Sequence, residues 1–130
     1  MKQIKHLGTY GLILKGDDIV LIKKVGGPYD GKLDLPGGTI EFGETPVKAL
    51  IREIKEELNI DIHENEIKYL VGSTSSNIKS DMIDNHFNEC YIITKDLDIS
   101  DIKLQEEEVA EIKWFSKKEI LDRINNNFMV

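Results

Sequence analysis

Residues 45–59, TPVKALIREIKEELN, constrain the fold more than any other stretch of this chain. Val47, Leu50, Ile51, Ile54 and Leu58 recur at the helical period and make one apolar stripe. Thr45 suits the N-cap. Pro46 suits the first helical position, where its missing N–H costs nothing. Asn59 lies just past the end, and Asn is second only to Gly at the left-handed C-terminal position. A helix with one apolar face must cover something, and the segments around it read as strands.

Residues 5–14 and 19–25 flank the turn residues Lys15-Gly16-Asp17-Asp18 and predict a hairpin. Residues 26–31, GGPYDG, read as a loop, 33–36 as an extended piece and 39–42 as a short strand. Residues 67–75 and 86–95 predict two more strands joined by a polar loop at 76–85. VAEIKWF predicts a last strand. Ser116-Lys117-Lys118-Glu119 is a capping box opening a helix with Ile120, Leu121, Ile124 and Phe128 on its apolar face. The order of strands, helix, strands, helix predicts an α/β protein with a mixed sheet covered by helices.

At 130 residues the expectation is one domain, 1–130, with a core large enough to fold without disulfides. Cys90 is the only cysteine, which matches a reducing compartment. The opening MKQIKHLGTYGLIL has an apolar run too short for a signal peptide or membrane span, so the expected location is cytoplasmic. Net charge is -7, with no Lys/Arg cluster, which argues against a polymeric nucleic acid partner. A small polyanion such as a nucleotide stays open if a divalent cation sits between it and the acidic surface.

The helix carries an electrostatic oddity. Glu53, Glu56 and Glu57 stand at i, i+3 and i+4, a spacing that costs roughly 0.2–0.5 kcal/mol per like-charged pair. On a wheel of about 100° per residue they form an arc beside and away from the apolar stripe. The default for such an arc is a solvated face, with Arg52 and Glu56 as an i, i+4 pair. The alternative is a set of oxygen ligands for a hard divalent cation, Mg²⁺ or Mn²⁺.

The wider spacing favours the alternative. Gly38 is followed by five residues, Glu44, seven residues, then Arg52-Glu53-Ile54-Lys55-Glu56-Glu57. This resembles the Nudix box, G-x5-E-x7-R-E-U-x-E-E-x-G-U with U bulky and apolar, signature of the Nudix hydrolases. Eight of nine defined positions match between Gly38 and Ile60; Asn59 replaces the usual Gly. Leu35-Pro36-Gly37-Gly38 resembles the lead-in to the box, and Glu111-Ile112-Lys113-Trp114-Phe115 its C-terminal end.

The resemblance implies a Nudix-type α/β/α sandwich and cleavage of a diphosphate linkage in a nucleoside di- or triphosphate, or a derivative, by water attack at phosphorus. It implies Mg²⁺ as cofactor, held by Glu53, Glu56, Glu57 and the carbonyl of Gly38, with Mn²⁺ as substitute. Glu53 is the expected base. Glu44 and Arg52 are expected to complete the catalytic box by bracing its loop against the helix. A base from outside the box would come from Glu106, Glu107 or Glu108, whose default is an exposed acidic loop.

Among substrates, a MutT-like nucleoside triphosphate comes first. ADP-ribose, sugar nucleotides and dinucleoside polyphosphates are alternatives, as is a non-catalytic nucleotide sensor. An isoprenoid isomerase on the same fold would need Cys90 as its catalytic cysteine. A homodimer stays open. Lys23, Lys24 and Tyr29 are candidate substrate contacts, two for phosphate and one for base stacking. Their defaults are solvated strand-end lysines and a surface loop aromatic. His86 reads as structural or solvent-facing; Cys90, Trp114 and Phe115 read as core.

Overall fold

Helix α1 spans Pro46–Leu58 with the predicted caps in place. The Thr45 side chain accepts from the Lys48 N–H, and Asn59 closes the helix in the left-handed conformation, at φ 56° and ψ 38°. The computed structural model describes residues 2–26, 30–79 and 82–125. Seven strands and a second helix complete the described secondary structure, apart from two single-turn 3-10 segments: β1 (Lys2–Lys15), β2 (Asp18–Lys24), β3 (Leu33–Asp34), β4 (Gly37–Thr39), β5 (Ile67–Lys79), β6 (Met82–Ile93), β7 (Val109–Phe115) and α2 (Lys117–Asn125).

β1 organises the sheet. Its end pairs antiparallel with β2 across Gly16-Asp17, with Gly16 left-handed at φ 59°. Its middle pairs antiparallel with β4, setting Thr9 opposite Gly38 and Tyr10 opposite Gly37. Along its other edge β1 runs parallel to β6, from Lys2 opposite Met82 to Ile13 opposite Ile93. A parallel pair needs a long crossover, and α1 with β5 lies between the two strands in sequence. The strand path is β3-β2-β1-β6-β5, with β4 on β1 and β7 on β2, so the sheet is mixed as expected.

The core has two parts. Leu50, Ile54 and Leu58 of α1 pack with Ile13, Val20, Ile22, Tyr91 and Ile93. Leu21, Leu33 and Phe115 form a second cluster joined by Leu35 and Ile120. β2 therefore alternates Val20 and Ile22 toward one layer with Leu21 toward the other. Helices on both sides give an α/β/α sandwich. Fully burying each of these aliphatic side chains contributes roughly 1.5–3 kcal/mol.

Two boundaries and one helix face differ from the sequence reading. The polar stretch 76–85 is not a loop: β5 and β6 continue through it to Lys79 and from Met82. Its polarity reflects a ribbon with little core beneath it, where pairing comes from the backbone and from contacts such as Ser76 Oγ donating to Asn85 Oδ1 at 2.6 Å. The strand expected at 39–42 lies instead at Gly37–Thr39, and Phe42 is fully exposed. β-propensity pointed to Ile40 and Phe42, whereas close approach to β1 selects the two glycines. Leu121 is half-exposed while Ile120 packs inward; Phe128 lies outside the described residues. The capping box of α2 forms, with Ser116 and Glu119 each accepting the other's backbone N–H at 3.2 Å.

Candidate active site

Arg52 is the hub of the site. Its Nε and Nη2 donate to both oxygens of Glu44 at 2.8 and 2.9 Å, a two-pronged contact only a planar guanidinium makes. Nη2 also donates to the Thr39 carbonyl at 2.9 Å. Nη1 donates to Glu53 Oε1 at 3.0 Å and Glu56 Oε2 at 3.2 Å. One side chain thus ties β4 and the loop before α1 to the helix and offsets part of the carboxylate repulsion. Arg52 and the Glu41 N–H, at 2.9 Å, hold the Glu44 carboxyl below the usual carboxylate range. Glu44 and Arg52, expected as bracing residues, are brought together here.

The carboxylates do not share one environment: along the expected arc, burial rises from Glu56 through Glu53 to Glu57, the member beside the core. Glu57 is only 4% exposed and lies beneath β4, where its Oε1 accepts the Gly37 N–H at 2.8 Å. Burial pushes its carboxyl up to about 8, despite the Gly37 N–H and the Lys24 charge, and Glu53 and Glu108 add to the rise. Glu53 is half-buried; burial raises its carboxyl, and Arg52 opposes the shift. Glu56 is exposed. The wheel sets Glu57 at the edge of the apolar stripe, and β4, which a wheel of the helix alone does not include, closes over that side.

Glycines make this closure feasible. A Cβ on Gly37, at φ 142°, would overlap the Thr9 carbonyl oxygen. A Cβ on Gly38 would lie 2.6 Å from the Glu53 carboxyl carbon. Contact with Glu53 is thus a sufficient reason for glycine at 38, beside the expected approach of an ion to its carbonyl. Gly37, which carries the N–H that meets Glu57, was missed as a site residue; its unusual φ has no signature in sequence beyond the Gly-Gly pair.

The acidic turn 106–108 is exposed, as its default predicts, yet it abuts the site. The Gln105 N–H donates to the Glu57 carbonyl at 3.1 Å and the Val25 N–H to the Glu108 carbonyl at 2.9 Å. The charge of Glu108 reaches both Glu53 and Glu57. The two lysines separate. Lys24 acts on Glu57 and pairs with Asp34 at 3.3 Å. Lys23 points to a different cavity, lined also by Leu33, Lys113 and Phe115, and pairs with Glu111 at 3.9 Å. Tyr29 lies outside the described residues.

A cavity of about 250 Å³ adjoins Lys24, lined by Tyr10, Asp34, Leu35, His86, Asn88 and Cys90. Cys90 is therefore a half-buried wall residue rather than pure core, and burial pushes its thiol up. His86 is half-buried beside Asp84. Asp34 and Asn88 were not singled out by sequence; each is an ordinary strand residue until the sheet brings them together.

The sequence model of the NUDIX domain matches residues 5–129. The chain belongs to the NUDIX family. Hydrolases of this family generally use a divalent metal, and the donors gathered here, Glu53 beside Gly38 and Glu57 beneath Gly37, are the oxygen type a hard cation takes. An ADP-ribose pyrophosphatase of Methanocaldococcus jannaschii is 44% identical over 66 residues, 51% of this chain and 37% of that protein. An uncharacterized Nudix hydrolase of Listeria innocua is 33% identical over 122 residues, 88% and 66% of the two chains. The 8-oxo-dGTP diphosphatase of Escherichia coli is 59% identical over 29 residues, 22% of each.

The chain thus spans between a fifth and two thirds of the length of these relatives. A MutT NUDIX hydrolase from Burkholderia pseudomallei superposes with a TM-score of 0.76 at 20% identity, covering 98% of this chain and 99% of that one, a likeness of fold. Among the described residues no helix is long and apolar enough to cross a membrane.

Proposed function

We propose that this NUDIX protein is a Mg²⁺-dependent nucleotide pyrophosphohydrolase, cleaving a diphosphate linkage by water attack at phosphorus. The observation that supports this most is the convergence of Glu53 and Glu57 on the Gly37-Gly38 strand, with Glu56 joined to Glu53 through Arg52, which also clamps the loop to the helix. In this reading Glu53, Glu56, Glu57 and the Gly38 carbonyl hold Mg²⁺, or Mn²⁺ in its place. The bound ion would neutralise diphosphate oxygens and lower the pKa of water.

The chain's own groups do the rest. Glu53 accepts the water's proton, held in orientation by Arg52 at 3.0 Å. Burial, which raises the Glu53 carboxyl toward working pH, suits a base. Lys24 offers a positive charge at the mouth of the cavity, where the nucleoside part would sit against Tyr10, Asp34 and Asn88. Glu108 is the acidic group best placed to act from outside the box. Lys23 is directed elsewhere and is set aside as a phosphate contact.

The substrate class is a nucleoside diphosphate carrying a further group. A MutT-like triphosphate is the first choice, and the relatives add ADP-ribose and 8-oxo-dGTP as specific ones to assay. The enzyme would work in the cytoplasm on free nucleotides, as a monomer or homodimer. An isoprenoid isomerase is disfavoured because burial keeps the Cys90 thiol protonated at neutral pH.

The test is turnover of a panel of triphosphates, ADP-ribose, sugar nucleotides and dinucleoside polyphosphates with Mg²⁺, with products resolved by chromatography. Release of a nucleoside monophosphate, abolished by Glu53→Gln with folding retained, is expected. Silence across the panel with tight binding of one nucleotide would replace the enzyme by a sensor.

A further inference from the structure

Away from the box, β1 and β6 bring three other ligand-bearing side chains together. His6 and His86 are direct partners in the parallel ladder, and Asp84 lies two residues before His86, on the same face of β6. His6 Nε2 lies 2.8 Å from Asp84 Oδ1, and His86 Nε2 lies 3.3 Å from Asp84 Oδ2. The two imidazoles stack at 4.6 Å with planes 16° apart, so both rings address one carboxylate. Their donor atoms all lie within 4.8 Å of one another.

We propose that His6, Asp84 and His86 form a second metal site that takes a borderline transition cation of the Zn²⁺ class. The spacing fits. Ligand atoms bonded to a tetrahedral ion at about 2.1 Å stand about 3.4 Å apart; the two His–Asp separations are 2.8 and 3.3 Å, the whole set lies within 4.8 Å, and the stacked imidazoles would turn to bring both nitrogens onto one ion. The ligand type fits as well. Two imidazoles with one carboxylate favour Zn²⁺, Ni²⁺ or Cu²⁺, whereas the all-oxygen set of the box suits Mg²⁺. The two sites are therefore chemically distinct.

The imidazole cluster is offset from the carboxylate box, although His86 also lines the cavity beside Lys24. On β1, His6 precedes Tyr10 by four residues, about 13 Å of strand, and it is Tyr10 that pairs with Gly37 beside the box. His6 and His86 also project from the face opposite Thr9 and Ile13, which meet α1 and its core.

The charge pattern gives a reason for the cluster. The ion pairs of Asp84 among the described residues are with these two imidazoles. Asp84 is largely covered, at 14% side-chain exposure, and His86 is at 26%. Both Nε2 atoms face carboxylate oxygens, and Asp84 Oδ1 is buried without a hydrogen-bond partner among the described residues, so a cation among the three would meet an acceptor that nothing else there satisfies. His6, half-exposed, gives the ion a path from solvent.

The probe is Co²⁺, whose visible absorption reports imidazole coordination. Chelator-stripped protein is titrated with Co²⁺ in saturating millimolar Mg²⁺, which holds the carboxylate box. One equivalent of Co²⁺ should bind with visible bands, and Zn²⁺ should displace it. His6→Ala should abolish the bands, and so should Asp84→Asn as a second variant of different character. Glu53→Gln should leave them intact. Melting in chelator checks that each variant is folded, and Zn²⁺ should raise the melting temperature of the wild type but not of His6→Ala.

Absence of bands in the wild type would overturn the proposal, as would bands that survive both variants. So would bands lost in Glu53→Gln but kept in His6→Ala. None of these outcomes depends on turnover, so failure here leaves the hydrolase reading standing.

Discussion

Glu57 links the chemistry of the site to the stability of the fold. Its carboxyl ordinarily ionises near 4.5 and is pushed up to about 8 by burial beneath β4. Without metal, the folded chain therefore binds more protons at this position than the unfolded chain between those values. The sign follows: the stabilising contribution is complete below pH 4.5 and is lost as pH rises through about 8. The slope from this one group is at most about 1.4 kcal/mol per pH unit. Between about pH 5.5 and 7.5 that amounts to up to about 2.7 kcal/mol. In a domain this size the melting temperature should fall by about 5–10 °C over that interval.

Burial also raises the carboxyls of Asp34 and Glu53, which add a slope of the same sign. The informative quantity is therefore wild type minus Glu57→Gln. Gln keeps an oxygen to accept the Gly37 N–H but cannot ionise. Differential scanning calorimetry in chelator should show wild type losing stability faster than Glu57→Gln as pH rises. Saturating Mg²⁺ or Mn²⁺ should flatten or reverse the wild-type slope, because the ion competes with the proton and binds more tightly at higher pH. Parallel pH profiles for wild type and Glu57→Gln in chelator would refute the reasoning.

Three further substitutions probe separate parts of the site. Gly38→Ala places a methyl group 2.6 Å from the Glu53 carboxyl, whose flexible end should yield; kcat should fall roughly 10–100-fold with little change in melting temperature. Arg52→Lys removes the paired contact with Glu44 and cannot also reach Thr39, Glu53 and Glu56, so both kcat and melting temperature should fall. Leu50→Ala empties a fully buried position in the core under α1 and should cost about 2–5 kcal/mol by urea unfolding, with metal affinity of the folded fraction unchanged.

Helix α1 was legible in the sequence because everything that specifies it is local. The period of Leu50, Ile54 and Leu58, the Thr45 cap, Pro46 and the left-handed Asn59 each act within a turn or two. The pairing of Arg52 with Glu44 was legible only through the resemblance of the box, since nothing local in eight residues of loop and helix dictates it. The long arms of β5 and β6 were not. Residues 76–85 look like a loop because alternation is written only where one face is buried, and here pairing is done by backbone groups that carry no sequence label. The separation of Lys23 from Lys24 follows from strand alternation: Lys23 shares the face of Leu21, and Lys24 that of Val20 and Ile22.

The burial of Glu57 shows which property of the helix matters. Placed beside and away from the apolar stripe, three glutamates would be a solvated charge run, and removing one would relieve repulsion at little consequence. Covered by Gly37 and faced by Lys24, Glu57 instead costs the metal-free fold something at neutral pH. A chain selected for stability alone would carry Gln at 57, which keeps the hydrogen bond and loses the charge. Glu is worth its cost only if a cation fills the same space during function. Glu57→Gln should therefore gain stability in chelator near neutral pH while losing both the stabilisation by Mg²⁺ and turnover. A variant that gained stability and kept full turnover would show that the buried charge has no part in the reaction.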